Sequence, residues 1–430
     1  MADDFIAFDT SQPPEPDRTH LKRSRHDQED DDHDEGVGSS EILVPWSKDT
    51  RRVEFNRPSR FLHDEICEFL DYIAPTPQEE NVRQLVVDRI EAVALAIWPD
   101  ARVIVYGSFE TKLYLPTSDI DVALVYTDTN RMGRSSLYTF AAAVKRNDLG
   151  RNVQVIANAA VPIVKFEDRV TGLPVDVSFN VTNGQQSSNA TKQLIKRFPA
   201  ARSLVLVLKQ FLSQRSLNDV YMGGLGSYAL VIIVISFLQR HEVVQSGRLK
   251  PEDNLGVLLI EFFEYYGMDF PHERTGICVK EKGMYFSKDS RDWRRMHPNP
   301  RPTQRYNLCV RDPENFENDV ARGSHSFTNV KRAFSSAFEV LTSAAYKMNQ
   351  RDKDGEVSML HRILKVDERM QQTRLKLANV STQLTPLPPI ERVDPKRRRV
   401  ADYAYTSDDY DSDDASDAWD DSRYHKQFVK

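Results

Sequence analysis

Residues 119–126 read Asp-Ile-Asp-Val-Ala-Leu-Val-Tyr, and their polar and apolar positions alternate. That is the period of a half-buried β-strand. Residues i and i+2 of a strand share a face. Asp119 and Asp121 therefore stand side by side, while Ile120, Val122 and Leu124 face a core. Two carboxylates so placed repel unless a cation lies between them. The fold must supply a sheet with one buried face and an anionic site on the other. The same Asp-x-Asp spacing recurs at Asp30/Asp32, Asp32/Asp34, Asp409/Asp411 and Asp411/Asp413, but in acidic runs without apolar alternation. Context rather than spacing singles out Asp119 and Asp121.

The flanking sequence extends this pattern. Arg102–Tyr106 is a short β-branched run that ends directly on Gly107-Ser108, eleven residues before Asp119. Further strands are expected at 153–156, 161–166 and 173–179, the last two joined through Thr171-Gly172. In Val175-Asp176-Val177-Ser178-Phe179 the valines and Phe179 share one face and Asp176 takes the other. Three carboxylates from two neighbouring strands suit two divalent ions, one activating an attacking hydroxyl and one binding a triphosphate. Helices are expected at 58–74, 77–98 and 135–147, then at 187–198, 200–214, 225–240, 254–266, 327–348 and about 356–378. Residues 271–313 read as a Gly/Pro/Arg-rich loop. The fold class is α+β, a mixed sheet with helices followed by a mostly helical domain.

Charge is uneven along the chain. The net charge of −6 is the sum of −8 over residues 1–40, −6 over 401–430 and +8 over the body between them. A basic body suits a polyanionic partner. Residues 1–40 and 380–430 are poor in large apolar side chains and are expected to be disordered acidic tails. The three cysteines, Cys67, Cys278 and Cys309, form no CxxC pair, which argues against a disulfide scaffold and for a reducing compartment. The acidic start predicts no secretory leader. The apolar run 225–238 is too short to span a bilayer and reads as a buried helix, so no membrane association is expected.

Gly107-Ser108, Asp119-x-Asp121 and the later Asp176 resemble the nucleotidyltransferase superfamily of DNA polymerase beta-like enzymes. The segment from Leu208 to Tyr228, with Lys209 and Gly-Gly-Leu-Gly-Ser-Tyr at its end, is similar to the poly(A) polymerase-associated segment of nuclear TRAMP-type poly(A) RNA polymerases. Val44-Pro-Trp46 and Asn318-Asp-Val-Ala-Arg322 fit the same family, and the resemblance covers about 42–348. It implies a disordered tail to residue 40, an N-terminal helical segment (41–76) packing on the helical domain, and a nucleotidyltransferase domain (77–182). A helical poly(A) polymerase-associated domain (183–350), a polar helix (351–379) and a tail (380–430) would follow.

The resemblance further implies that Asp119, Asp121 and Asp176 are catalytic and ligate Mg²⁺ or Mn²⁺. Gly107 and Ser108 would hold a terminal phosphate of ATP, and Gly184 would leave room for the ribose. Lys209 and Ser227 would contact phosphate, Tyr228 would stack on the base, and Asn318 and Arg322 would close the cleft. The implied activity is addition of short poly(A) tails to RNA 3′ ends, marking nuclear RNAs for the exosome. A zinc-knuckle RNA-binding protein and an RNA helicase would be partners. Ser213 and Asn318 stand where uridine-adding relatives carry a lysine and a histidine, which favours ATP over the alternative of a terminal uridylyltransferase or a mixed-nucleotide tailing enzyme. An inactive scaffold would be expected to lack a carboxylate, and all three are present. Pro395-Lys-Arg-Arg-Arg399, with Lys22-Arg-Ser-Arg25 as a second cluster, reads as a nuclear import signal, consistent with a nucleoplasmic or nucleolar protein.

Overall fold

The computed structural model describes residues 44–47, 57–126, 134–159, 161–180, 183–349, 358–365 and 367–382. Both basic clusters, and the tails except for the last residues of a helix ending at Thr382, lie outside the described residues.

Two helices open the fold. In α1 (Pro58–Ile73), Phe61, Leu62, Ile66, Phe69 and Ile73 form one buried stripe. Helix α2 (Pro77–Ile97) starts at a capping box, where Thr76 Oγ1 accepts from Glu79 N (3.1 Å) and Glu79 Oε2 from Thr76 N (2.8 Å). A five-stranded sheet follows in the order β1-β2-β5-β4-β3. Its strands are β1 (Arg102–Tyr106), β2 (Ile120–Val125), β3 (Gly150–Ile156), β4 (Ile163–Asp168) and β5 (Pro174–Phe179). The one-turn helix α3 (Gly107–Thr111) joins β1 to the loop before β2, and α4 (Arg134–Arg146) lies between β2 and β3. Only the β2–β5 pairing is parallel; the other three are antiparallel. Helices α2 and α4 cover one face of the sheet, and Val86, Ile90, Phe140, Ile120, Val122, Val175 and Val177 are buried between them. The other face is left to the site.

The second module is helical, with its own core. It comprises α5 (Asn183–Arg197), α6 (Ala200–Ser213), α7 (Ser227–Arg240), α8 (Glu242–Gln245), α9 (Leu255–Glu264) and α11 (Phe327–Asn349). Helix α7 is apolar on all sides and is buried from Ala229 to Gln239. Among the described residues no helix is long and apolar enough to cross a membrane. Helix α1 packs on α9 and α6 of this module. Trp46 is buried edge-to-face on Phe69, with 5.2 Å between centroids. Glu65, fully buried, accepts from Met359 N (2.9 Å) and Leu360 N (2.8 Å) and so ties the returning chain to α1.

Three expectations need correction. Residues 271–313 are not one loop. They hold the hairpin β6 (Thr275–Cys278) and β7 (Met284–Ser287), the short helix α10 (Arg291–Met296) and a 3₁₀ turn at Pro302–Tyr306. Strands of four residues are too short to print an alternation through Gly, Pro and Arg. Trp293, Met296 and Cys309 form their own small core. The buried His297 secures this insert, with Nε2 3.0 Å from Asp319 and Nδ1 2.6 Å from Gln304. Helix α5 begins at Asn183, four residues earlier than expected, because its first turn is polar and carries no apolar stripe. The polar C-terminal helix α12 runs Glu368–Thr382 and packs on α2, placing Leu377 and Val380 in the core of the sheet module. Arg374 there pairs with Glu79 at 3.1 Å.

Candidate active site

Strand register assembles the site. Tyr106 pairs with Asp121 across β1–β2, Asp121 with Asp176 across β2–β5, Asp176 with Lys165 across β5–β4, and Lys165 with Gln154 across β4–β3. One row of side chains thus crosses all five strands on the open face. Asp119, just ahead of β2, adds a third carboxylate. One oxygen from each of Asp119, Asp121 and Asp176 lies within 4.8 Å of the others. The row forms part of the wall of a cleft of about 780 Å³ between the sheet module and α5, α6 and α7.

The approach to β2 is fixed by groups that leave no slack. Gly107 has φ +68°, and a Cβ there would collide with the Asp121 carboxylate, so both backbone shape and space demand glycine. Gly107 N donates to Ser188 Oγ at 2.8 Å, and Ser188 Oγ donates to Gly184 O at 2.8 Å. Ser108 lines the cleft, and its buried Oγ has no hydrogen-bond partner among the described residues. Arg83, wholly buried, donates to Ser118 O (3.0 Å) and Pro116 O (2.8 Å) and lies 4.6 Å over the Tyr114 ring. It clamps the loop that delivers Asp119.

The electrostatics are those of a buried anionic cluster. Burial, reinforced by Asp119 and Asp176, pushes the Asp121 carboxyl up to about 8. Burial raises Asp176 as well, against the pull of Lys165. The Lys165 ammonium is 3.1 Å from Asp176 Oδ1, and among the described residues that oxygen accepts no hydrogen bond. Lys209 lines the cleft from α6; burial lowers its ammonium to about 8 while Asp119 and Asp121 oppose the shift. Its Nζ donates to Leu113 O at 2.7 Å. Tyr106 is raised to about 12 by burial and shares a hydrogen bond with Ser178 at 3.2 Å. Three clustered carboxylates, all oxygen donors, fit a hard divalent cation.

Most of the expected nucleotide-binding residues reach the cleft. Gly107, Ser108, Gly184, Lys209, Ser227 and Tyr228 line it, with Ser187, Ser188 and Ser213. Asp176 itself does not; Lys165 lies over it. The space at Gly184 is taken by the Tyr106 ring, which a Cβ would strike, so packing explains this glycine. Asn318 and Arg322 are not among the cleft-lining residues. Arg322 is exposed and donates to Met296 O at 2.7 Å. Asn318 Nδ2 donates to Asp312 Oδ2 (3.0 Å), and the Tyr228 hydroxyl donates to Asp312 Oδ1 (3.2 Å). Burial and Asp312 together raise that hydroxyl. Asp312 therefore connects Asn318 to the cleft through Tyr228. Sequence reasoning missed Lys165, Arg83 and Asp312. Lys165 had a signal, since it stands on the polar phase of an apolar strand, as Asp176 does. Arg83 lies inside the apolar pattern of α2 and had none.

Known proteins share sequence and fold with this chain. A profile described as "Poly(A) RNA polymerase, mitochondrial-like, central palm domain" matches residues 62–196. One described as "Cid1 family poly A polymerase" matches 254–318. The chain is 38% identical over 290 residues to the inactive non-canonical poly(A) RNA polymerase protein Trf4-2 of Drosophila melanogaster, covering 65% of this chain and 68% of that protein. A solved structure of the polymerase core of TRAMP, an RNA surveillance complex, superposes with a TM-score of 0.68 at 35% identity, covering 75% of this chain and all of that one. The chain belongs to the Trf4/Cid14-like poly(A) RNA polymerase family. Within the family it is also 39% identical over 394 residues to Poly(A) RNA polymerase cid14 of Schizosaccharomyces pombe, covering 88% of this chain and 56% of that protein. The chain spans about half the length of the curated relatives it matches at highest significance. Family membership identifies the sheet module as a nucleotidyltransferase palm and the helical module as its poly(A) polymerase-associated partner.

Proposed function

We propose that the chain is a template-independent RNA 3′-terminal adenylyltransferase that adds short poly(A) tails from ATP. The observation that carries this reading is the complete cluster of three carboxylates, two of them, Asp119 and Asp121, lining a two-module cleft, in a chain of this family. The proposed metal is Mg²⁺, with Mn²⁺ as a substitute, held by Asp119, Asp121 and Asp176. When bound, it supplies charge neutralisation and activation of the acceptor hydroxyl.

The chain's own groups do the rest. The unpartnered Ser108 Oγ and the Lys209 ammonium bind the triphosphate, Lys209 as a point charge. Asp176 accepts the proton of the RNA 3′-hydroxyl. The Tyr228 ring, held by Asp312, stacks on the base, and Asn318 sets base choice by orienting Asp312. Ser227 adds a phosphate contact at the start of α7, and Arg322 joins when the cleft closes.

By the same reading the substrates are nuclear RNAs marked for exosome processing or decay. The partners are a zinc-knuckle RNA-binding protein and a helicase of a TRAMP-like complex, and the location is the nucleoplasm or nucleolus. The polymerase core of such a complex is the fold match above.

The test is 3′-extension of a short labelled RNA with ATP, CTP, GTP or UTP and Mg²⁺, beside an Asp119→Ala/Asp121→Ala control. Extension with ATP that the control loses supports the proposal. Preference for UTP overturns the base assignment. No extension with any nucleotide, alone or with a zinc-knuckle partner, overturns the enzymatic reading in favour of a scaffold.

A further inference from the structure

We propose that Lys165 is a positioning residue that holds Asp176 in the metal-free enzyme and passes to the terminal phosphodiester of the RNA acceptor once a divalent ion takes that carboxylate. The inference rests on the reading of the three carboxylates as a metal site.

Lys165 is the partner of Asp176 across the β4–β5 ladder, and its ammonium contacts both oxygens, at 3.1 Å and 3.2 Å. It occupies the position a cation would take on Asp176. The arrangement cannot survive ion binding unchanged. A Mg²⁺ ion about 2.1 Å from a carboxylate oxygen would lie within roughly 5 Å of an ammonium on the same carboxylate, and the two cations repel. Of the pair, Lys165 is the one free to move. Its side chain is 44% exposed against 16% for Asp176, and its stem is four flexible methylenes.

The direction of its movement follows from the row. Gly107, Ser108 and Lys209 lie on the Asp121 side of the site. Lys165 lies beyond Asp176 in the row, opposite Gln154 of β3, and both line the cleft. The next acid along β4, Glu167, is already engaged by Arg151 at 2.9 Å. The triphosphate is served from the opposite end. The anion for Lys165 is therefore the phosphodiester preceding the acceptor's 3′-hydroxyl, whose proton Asp176 takes. The lysine couples metal arrival to acceptor alignment.

The experiment compares the full chain with its Lys165→Met, Lys165→Gln and Lys165→Arg variants, without nucleotide. Mn²⁺ binding is followed by electron paramagnetic resonance, counting only sites lost in Asp119→Ala/Asp121→Ala. Binding of a short labelled RNA is followed by fluorescence anisotropy across a salt series. The Met variant should bind Mn²⁺ about three- to tenfold tighter, the loss of one half-exposed like charge nearby. It should bind RNA several-fold more weakly, with a salt slope smaller by about 0.7, the value of one single-strand phosphate contact. The Arg variant should restore the RNA slope. Lys165→Gln keeps a hydrogen bond to Asp176 and gives the same answers if the Met variant folds poorly. Unchanged or weaker Mn²⁺ binding, or an unchanged salt slope, overturns the proposal. A wild type that shows the expected shifts against the variants but extends no RNA supports this inference while overturning adenylyltransfer.

Discussion

Replacing Asp121 by Asn should make the metal-free protein more stable. Burial and two neighbouring carboxylates hold this acid protonated up to about pH 8, whereas an unperturbed one loses its proton near 3.8. A carboxyl whose pKa is raised on folding contributes stability that is fully present below its unfolded value. That contribution is lost as pH rises through the folded value. The full shift corresponds to a ceiling of about 6 kcal/mol at 1.36 kcal/mol per unit. Coupling of the Asp121 proton to the neighbouring carboxylates reduces the expected gain at pH 8 to roughly 2–4 kcal/mol. Asn keeps the shape and a hydrogen-bonding N–H without the charge. At about 1.5 °C per kcal/mol for a fold of this size, the Asp121→Asn variant should melt roughly 3–6 °C above wild type at pH 8 in EDTA. The difference should shrink towards zero near pH 4. Added Mg²⁺ should raise the wild-type Tm by mass action and the variant's much less. Differential scanning fluorimetry over a pH series reads all of this. A Tm difference flat from pH 5 to pH 8, or a variant that melts lower, would refute the reasoning.

Three further outcomes are expected. Gly107→Ala should cost about 1–2 kcal/mol for the left-handed backbone and, by displacing the Asp121 carboxylate, about 100-fold in kcat/KM; normal extension kinetics would show that the close approach is not required. Glu65→Ala should destabilise by about 3 kcal/mol, since it strands two buried amides at Met359 and Leu360, while Mn²⁺ affinity stays unchanged; denaturant titration and metal binding separate the two effects. Asn318→His should raise UTP use relative to ATP through Asp312 and Tyr228, and an unchanged ratio of kcat/KM values would remove Asn318 from base choice.

The chemistry was legible in the sequence because it rides on local periodicity. Asp119 and Asp121 share a face by the two-residue repeat of one strand, and Asp176 stands out among valines for the same reason. Helices α6 and α7 announce themselves by long apolar patterns. What spans the chain was not legible. The pairing of Asp121 with Asp176 depends on a parallel register between strands some fifty residues apart, with α4 and a hairpin intervening. Likewise the role of Lys165 exists only once β4 lies beside β5, and Arg83 gains its role only where α2 meets the loop before Asp119. The family resemblance carried Asn318 and Arg322 to the cleft, yet the fold sends Arg322 to Met296 O and reaches Asn318 through an aspartate that no spacing marks. Periodicity along a chain fixes which side chains share a face. Only long-range hydrogen bonding and packing decide which faces meet, and in this protein that meeting sets the charge balance of the site.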